Sequence, residues 1–355
     1  MRTIVLSLLF GAALSTDLSA QGLQLSPGVY WVTTGAPNVV LNNSGIINNG
    51  VFIPGASTLI FSGNDASLVS YIGGDRKISL YNVVIAMASP GLRLDNDAQV
   101  DNFITLDSGN LELNGHLLDL GSTGSIIGER DGACITGSSG GMIRRTADLF
   151  APQAVNPGNI GIAISSPDIF GPVTITRGHT AQLTANGVAA IQRYFVFDPA
   201  INGSRSTVRI YYLDGELGGN SKPELTLFSA SGAWTDWQEV GASHRSTDSN
   251  WVEQSQLKQL QRFSLAMGDA VAAGELAEAY PNPVQDVVKI KLVTPAGKDA
   301  LIGLYDVSGH LLELRQVHCT AGTSFTEWNL SRYAAGVYYL RFRGLTTADL
   351  KLVRQ

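Results

Sequence analysis

Between residues 21 and 145 the apolar residues fall into clusters of two to four, separated by Gly, Asn, Asp and Ser. Val39-Val40-Leu41, Gly45-Ile46-Ile47, Val51-Phe52-Ile53, Leu59-Ile60-Phe61, Leu92-Arg93-Leu94, Phe103-Ile104-Thr105-Leu106 and Leu111-Glu112-Leu113 are examples. Each is the length of a short strand and is bounded by turn formers. Cutting the chain at Gly45, Ala66, Ala88 and Asn110 gives blocks of about 21 or 22 residues, each holding several clusters. A recurring unit of that length predicts a β-solenoid, whose coils bury an inward apolar row and place Asn, Gly and Asp at the corners. The Asn114-Gly115 step also suits a tight hairpin turn, so a sandwich built of hairpins is the alternative for this region.

After Met142-Ile143-Arg144-Arg145 the texture changes. Asn156-Pro157-Gly158-Asn159 marks a turn, and strand-like runs recur at 173–176, 191–197, 207–213, 224–228, 234–240 and 262–265. Longer strands with polar turns between them predict an antiparallel β-sandwich over 146–268. Residues 269–278 are rich in Ala and Gly without a β period, which predicts a linker and the region of processing.

A small immunoglobulin-like sandwich is predicted for 279–355. Pro281 and Pro283 fix φ at two of three consecutive positions, so the chain must restart beyond them. It restarts as a strand, with Val288, Ile290 and Leu292 alternating with Lys289 and Lys291. Asp306-Val307-Ser308-Gly309 supplies turn chemistry. Gly336-Val337-Tyr338-Tyr339-Leu340 and the terminal Lys351-Leu352-Val353-Arg354 read as further strands. The whole chain is expected to be all-β.

The opening Tyr280-Pro281-Asn282-Pro283, the centre Leu304-Tyr305-Asp306-Val307-Ser308-Gly309, the strand at Gly336 and Tyr338, and the closing Lys351 and Val353 resemble a C-terminal sorting domain of the type IX secretion system. That resemblance implies recognition by the outer-membrane translocon and removal by a sortase-like protease. The passenger would then be anchored at the cell surface or released. Arg193-Tyr194-Phe195-Val196-Phe197 and 208–217 resemble a module often found before such domains, which implies architecture and no activity.

Charge changes the picture of partners. From residue 279 onward nine Lys/Arg face six Asp/Glu, so with −6 overall the preceding chain carries −9. An acidic passenger argues against nucleic acid or anionic lipid and suits a glycan or protein ligand. Met1-Arg2 followed by an apolar run and Leu18-Ser19-Ala20 predicts a signal peptide over 1–20, cleaved between Ala20 and Gln21. No other stretch is apolar for the length of a membrane span, so the mature chain is expected to have no transmembrane segment. Cys134 and Cys319, far apart in sequence, read as two separate reduced thiols.

Chemistry is sparse. None of the motifs for zinc proteases, serine hydrolases or phosphate loops is present, and no catalytic, cofactor or metal residue is assigned. Asp95, Asn96, Asp97 and Asp101 offer oxygens for a structural calcium ion but read as turn residues. Asp214 and Glu216 form a second oxygen-bearing loop. Trp234 and Trp237, with Trp251, are candidates for stacking on a sugar, although 234 and 237 have opposite strand parity. The expectation is a non-enzymatic, adhesin-like or structural protein. A carbohydrate-binding module or a short β-helix enzyme acting through Glu112, Asp119 or Glu129 is the alternative.

Overall fold

The structure, a computed structural model, describes residues 22–65, 67–88, 91–184, 187–231, 237–268, 276–294, 297–320, 322–345 and 349–355. The expected signal peptide with its Ala20–Gln21 cleavage site, Trp234 and linker residues 269–275 lie outside them. The chain is all-β, and its N-terminal part is a solenoid of about five turns.

Short parallel strands stack in register from coil to coil. Val39, Leu59, Val83, Ile104 and Ile126 form one column. Ile78, Ala98, Leu118 and Ile143 form a second, and Leu23, Ile46, Ile72 and Leu94 a third in the other sheet. The steps between column members run from 20 to 26 residues, which brackets the 21 or 22 expected. Leu59, Leu94 and Leu106 are fully buried, and each such side chain contributes about 1.5–3 kcal/mol.

Asn114 and Gly115 both sit at positive φ (50° and 83°), and the His116 N–H closes the turn on the Leu113 carbonyl at 2.8 Å. Hairpin chemistry is used here to turn a coil corner, because Leu111–Glu112 and Leu117–Asp119 belong to different sheets. The solenoid therefore stands and the hairpin sandwich does not. Corner side chains stack on the coil below: the Asn114 amide donates to the Leu94 carbonyl (3.2 Å) and to Asp95 (3.1 Å).

Met142–Phe150 couples the solenoid to the antiparallel strands beyond it. It pairs parallel with Leu117–Asp119 on one side and antiparallel with Ile169–Gly178 on the other. One sheet thus runs from Asn38–Asn42 in the first coils to Trp237–Gly241. One apolar core extends from Leu25 to Leu265. Residue 145, where the sequence texture changes, lies inside this strand. Composition changes there, but backbone pairing continues without regard to it. Beyond it, Tyr194–Tyr211 and Trp251–Met267 form a long antiparallel ribbon with register shifts between Val196 and Val208. One end of Tyr194–Tyr211 pairs with Ile169–Gly178 and the other with Ile162–Ser165.

The C-terminal unit has its own two sheets. Leu276–Tyr280, Val287–Thr294 and Gly322–Asn329 make one; Leu311–Cys319, Lys298–Tyr305, Gly336–Arg343 and Leu350–Arg354 make the other. Val288, Ile290 and Leu292 are buried against Ile302, Leu304, Trp328, Leu340 and Leu352, in a core that among the described residues spans 277–352. Among the described residues no helix is long and apolar enough to cross a membrane.

Candidate functional site

The two ends of the C-terminal unit are fastened together. Pro281 and Pro283, both preceded by cis peptide bonds, hold Asn282 exposed between them. Its amide donates to the Lys351 carbonyl (2.7 Å) and accepts from the Val353 N–H (2.9 Å). Val284 continues the seam: its N–H bonds the Val353 carbonyl (2.8 Å), and its carbonyl accepts from the Gln355 N–H (2.9 Å). The Arg354 guanidinium donates to the carbonyls of Gln285 (3.1 Å), Ser331 (3.2 Å) and Tyr333.

Of the remaining motif residues, Tyr305 and Lys351 share the outer face of the four-stranded sheet and Asp306 and Gly309 lie at its tip, whereas Tyr338, paired with buried Leu352, faces the core. Tyr305 pairs with Tyr339, and Tyr339 with Lys351. Directly paired residues share a face, so these three make one cross-strand row. The Arg341 guanidinium covers the Tyr305 ring at 4.7 Å. Asp306 Oδ1 accepts from the N–H groups of Ser308 and His310, both at 2.9 Å, and Gly309 completes the turn at φ 82°. Gly336 is exposed, while Tyr338 is buried with its hydroxyl donating to the Ala334 carbonyl at 2.7 Å. Tyr280 is 43% exposed.

A carboxylate that sequence reading passed over knots this unit. Glu313 accepts from Arg315 Nε (2.8 Å), Trp328 Nε1 (2.9 Å), the Tyr333 hydroxyl (3.0 Å) and Arg332. Burial raises its pKa, but these hydrogen bonds outweigh that and hold it at about 2. Nothing in its exposed, alternating surroundings distinguishes Glu313 in the sequence.

Asp214 and Glu216 share a one-turn 3-10 helix, yet their carboxylates serve different partners. Asp214 is exposed, bonded to Lys222 at 2.6 Å and Asn250 at 2.7 Å. Glu216 points inward to Arg193 (Nε 3.0 Å, Nη2 2.7 Å) and accepts the Leu213 N–H at 3.0 Å. They do not converge on one ligand position. Trp237 is 1% exposed, packed with Ala190, Phe228, Ala230 and Ala266. That removes it from a sugar platform, and Trp251 lies beneath the Arg209 guanidinium at 4.0 Å. The calcium candidates are likewise engaged. Asp95 pairs with Arg93 at 2.7 Å, Asp97 accepts the Leu117 N–H at 2.9 Å, and Asp101 accepts from Gln99 at 2.7 Å. Among the described residues no cluster of three or more His, Cys, Asp or Glu side chains could hold a metal ion.

The last coil meets the antiparallel ribbon through four buried charges. Arg177 bonds both oxygens of Glu129 (2.6 and 2.7 Å), and Arg193 bonds Glu216. The cross pairs Arg177–Glu216 and Arg193–Glu129 close at 3.9 and 3.7 Å. Both guanidiniums are fully or almost fully buried. Burial pushes the Glu129 carboxyl up, but Arg177 and Arg193 overcome it and bring it to about 2. Strand parity gives a signal for this quartet: Arg177 shares parity with buried Val173 and Ile175, and Arg193 with buried Phe195 and Phe197.

A cleft of about 400 Å³ opens beside the quartet, lined by Asn110, Glu112, Asp131, Cys134, His179 and Glu216 among others. The Cys134 thiol is 3.4 Å from Asn110 Oδ1. Burial and the nearby Glu129 and Glu216 push its pKa up to about 11, so it stays protonated and is a poor nucleophile at neutral pH. Cys319 is also a free thiol, buried in the C-terminal core, so the two reduced cysteines expected are present. His179 is 5% exposed, and its imidazole is held neutral by burial and by Arg177 and Arg193. Among the described residues neither ring nitrogen has a hydrogen-bond partner, and the Gly141 backbone nearby only partly offsets the lowering of its pKa.

Residues 278–353 match the family described as the secretion system C-terminal sorting domain. No curated protein matches the chain. Among solved structures, the crystal structure of dimeric latent PorU from Porphyromonas gingivalis aligns at 16% identity, covering 43% of this chain and 18% of that one, with a TM-score of 0.21. The C-terminal unit is therefore a type IX secretion sorting domain, which implies interaction with that machinery and export to the cell surface or the extracellular space.

Proposed function

We propose that residues 279–355 are the removable address of a non-enzymatic passenger, adhesin-like or structural, that works outside the cell. The observation that carries this is the sorting domain itself, whose core, among the described residues, begins at Ala277. A unit that folds on its own contacts can be read by the translocon and cut away by a sortase-like protease without unravelling its cargo. A signal peptide over 1–20 would deliver the chain to the periplasm, and the sorting domain would carry it through the outer membrane.

The non-enzymatic part rests on how the available acids are used. Glu112 accepts from the N–H groups of Asn114 and Ser138 and from the Thr136 hydroxyl. Asp119 is bonded to Arg144 at 2.6 Å and to the Gly121 N–H at 3.0 Å. Glu129 is locked in the quartet. Carboxylates held this way are structural ties of the coils, whereas glycoside cleavage needs a facing pair free to exchange protons.

Deleting 279–355 and fractionating the expressing cells tests the address. The truncated chain should accumulate in the periplasm while the full chain reaches the surface or medium. Equal surface delivery of both would refute it.

A further inference from the structure

The cleft beside the quartet lies outside the sorting domain, and it carries an inference independent of that reading. Its volume of about 400 Å³ lies within the roughly 300–1,000 Å³ of ligand pockets and far exceeds the ~30 Å³ of one water. His179 is buried in its wall, and among the described residues neither ring nitrogen has a hydrogen-bond partner. Leaving buried polar atoms unsatisfied is costly, so such a group calls for a partner that enters from the cleft. A neutral imidazole offers one N–H and one lone pair on different ring nitrogens, and a hydroxyl group can meet either one, accepting from the N–H or donating to the lone pair.

Charge specifies the rest. Glu129 and Glu216 are matched by Arg177 and Arg193. Glu112 and Asp131 also line the cleft, and no described ion pair neutralises either. Among the described residues, Glu112 Oε2 accepts from the Thr136 hydroxyl alone (2.8 Å), and each Asp131 oxygen accepts a single backbone N–H, from Gly215 (3.1 Å) or Asp214 (3.3 Å). Carboxylate oxygens have room for a further donor. The lining is thus anionic, with acceptors to spare, beside a hydroxyl-matching imidazole.

We propose that this cleft binds a small polyol bearing a protonated primary amine, with the ammonium on Asp131 and Glu112 and a hydroxyl on His179. Amino sugars and amino alcohols have this chemistry. Titrating the full-length protein calorimetrically with glucosamine, glucose and cadaverine tests it, with the His179 ring resonances followed by NMR. Glucosamine should saturate and shift those resonances, with glucose and cadaverine each about tenfold or more weaker, since each lacks one half of the recognition. Asp131→Asn should weaken glucosamine binding about tenfold. His179→Gln, which keeps a donor and an acceptor, should bind within a few fold of the parent, and His179→Leu should not bind. Asp131 is exposed, so its variant tests the charge without disturbing the core. Glucose binding as tightly as glucosamine would overturn the ammonium assignment, and cadaverine doing so would overturn the hydroxyl assignment. No saturable shift at millimolar glucosamine would overturn the site.

Discussion

Asn282 and Val353 lie 71 residues apart in sequence and are joined by a 2.9 Å hydrogen bond from the Val353 N–H to the Asn282 side chain. The same amide holds the Lys351 carbonyl, so one side chain brackets the final strand. Leu352, between the two bracketed residues, is fully buried in the C-terminal core. The core is therefore complete only once the strand Leu350–Arg354 has docked against Asn282 and Val284.

Asn282→Ala should cost about 1–2 kcal/mol, because it removes two hydrogen bonds at a solvent-accessible seam. Asn282→Asp should fall between, since it keeps the acceptor for Val353 and loses the donor to Lys351. Hydrogen exchange of the Val353 amide reads this directly: its protection should drop in the Ala variant and persist in the Asp variant. Unchanged protection in the Ala variant would show that the Val284 seam alone fixes the strand.

The solenoid is legible in the sequence because its signal is local and repeated. Val39, Leu59, Val83, Ile104 and Ile126 recur at nearly constant spacing, and each is flanked by turn formers. The sorting unit is legible from alternation, as at Val288, Ile290 and Leu292. Long-range pairing is what stays hidden. Met142–Phe150 joins a parallel to an antiparallel partner, and no residue type marks which backbone a strand edge will meet. Asp214 and Glu216 read as a single oxygen-rich loop because they are two positions apart. Their divergence depends on Arg193, distant in the chain, drawing only Glu216 inward. Opposite strand parity makes one of Trp234 and Trp237 a core residue, yet nothing local in the sequence reveals which one, or that Phe228 and Ala266 pack over Trp237.

The buried quartet should tolerate joint replacement better than single cuts. Glu129→Gln leaves Arg177 charged and fully buried with its main counter-ion gone, which should destabilise the protein by about 3–5 kcal/mol. Pairing Glu129→Leu with Arg177→Met removes both charges and should cost measurably less than Glu129→Gln alone. Urea unfolding of the three proteins decides the matter. A double variant as damaged as the single one would mean that shape, and not charge pairing, governs this junction.

Cys134 should resist alkylation in the native protein. Its thiol is protonated at neutral pH because burial, Glu129 and Glu216 raise its pKa to about 11. Labelling with iodoacetamide at pH 7.5 should be far slower than for an ordinary exposed thiol, whose pKa is about 8.5. Glu129→Gln should accelerate it by removing one of the charges opposing the thiolate. In denaturant both cysteines should react at once without prior reduction, since each is a free thiol.

Acid should loosen the protein at two separate carboxylates. Glu129 and Glu313 are each lowered from 4.5 to about 2 in the folded chain. A group with a depressed folded pKa stabilises above its unfolded value and loses that contribution as pH falls through the folded one. Stability should therefore hold above about pH 5 and decline progressively between about pH 4.5 and pH 2. Glu313→Gln should flatten that decline for the C-terminal unit, because the amide has no proton to gain, at the cost of lower stability at pH 7. The Trp328 N–H would keep an acceptor, while Arg332 and Arg315 would lose their charged partner. Glu129→Gln should flatten the decline for the coil–ribbon junction and leave the C-terminal unit untouched, because the two cores share no residue among those described. Hydrogen exchange followed from pH 5 to pH 2.5 separates the two regions. Should Glu313→Gln alter the acid response of the solenoid amides, the two units would have to be energetically coupled.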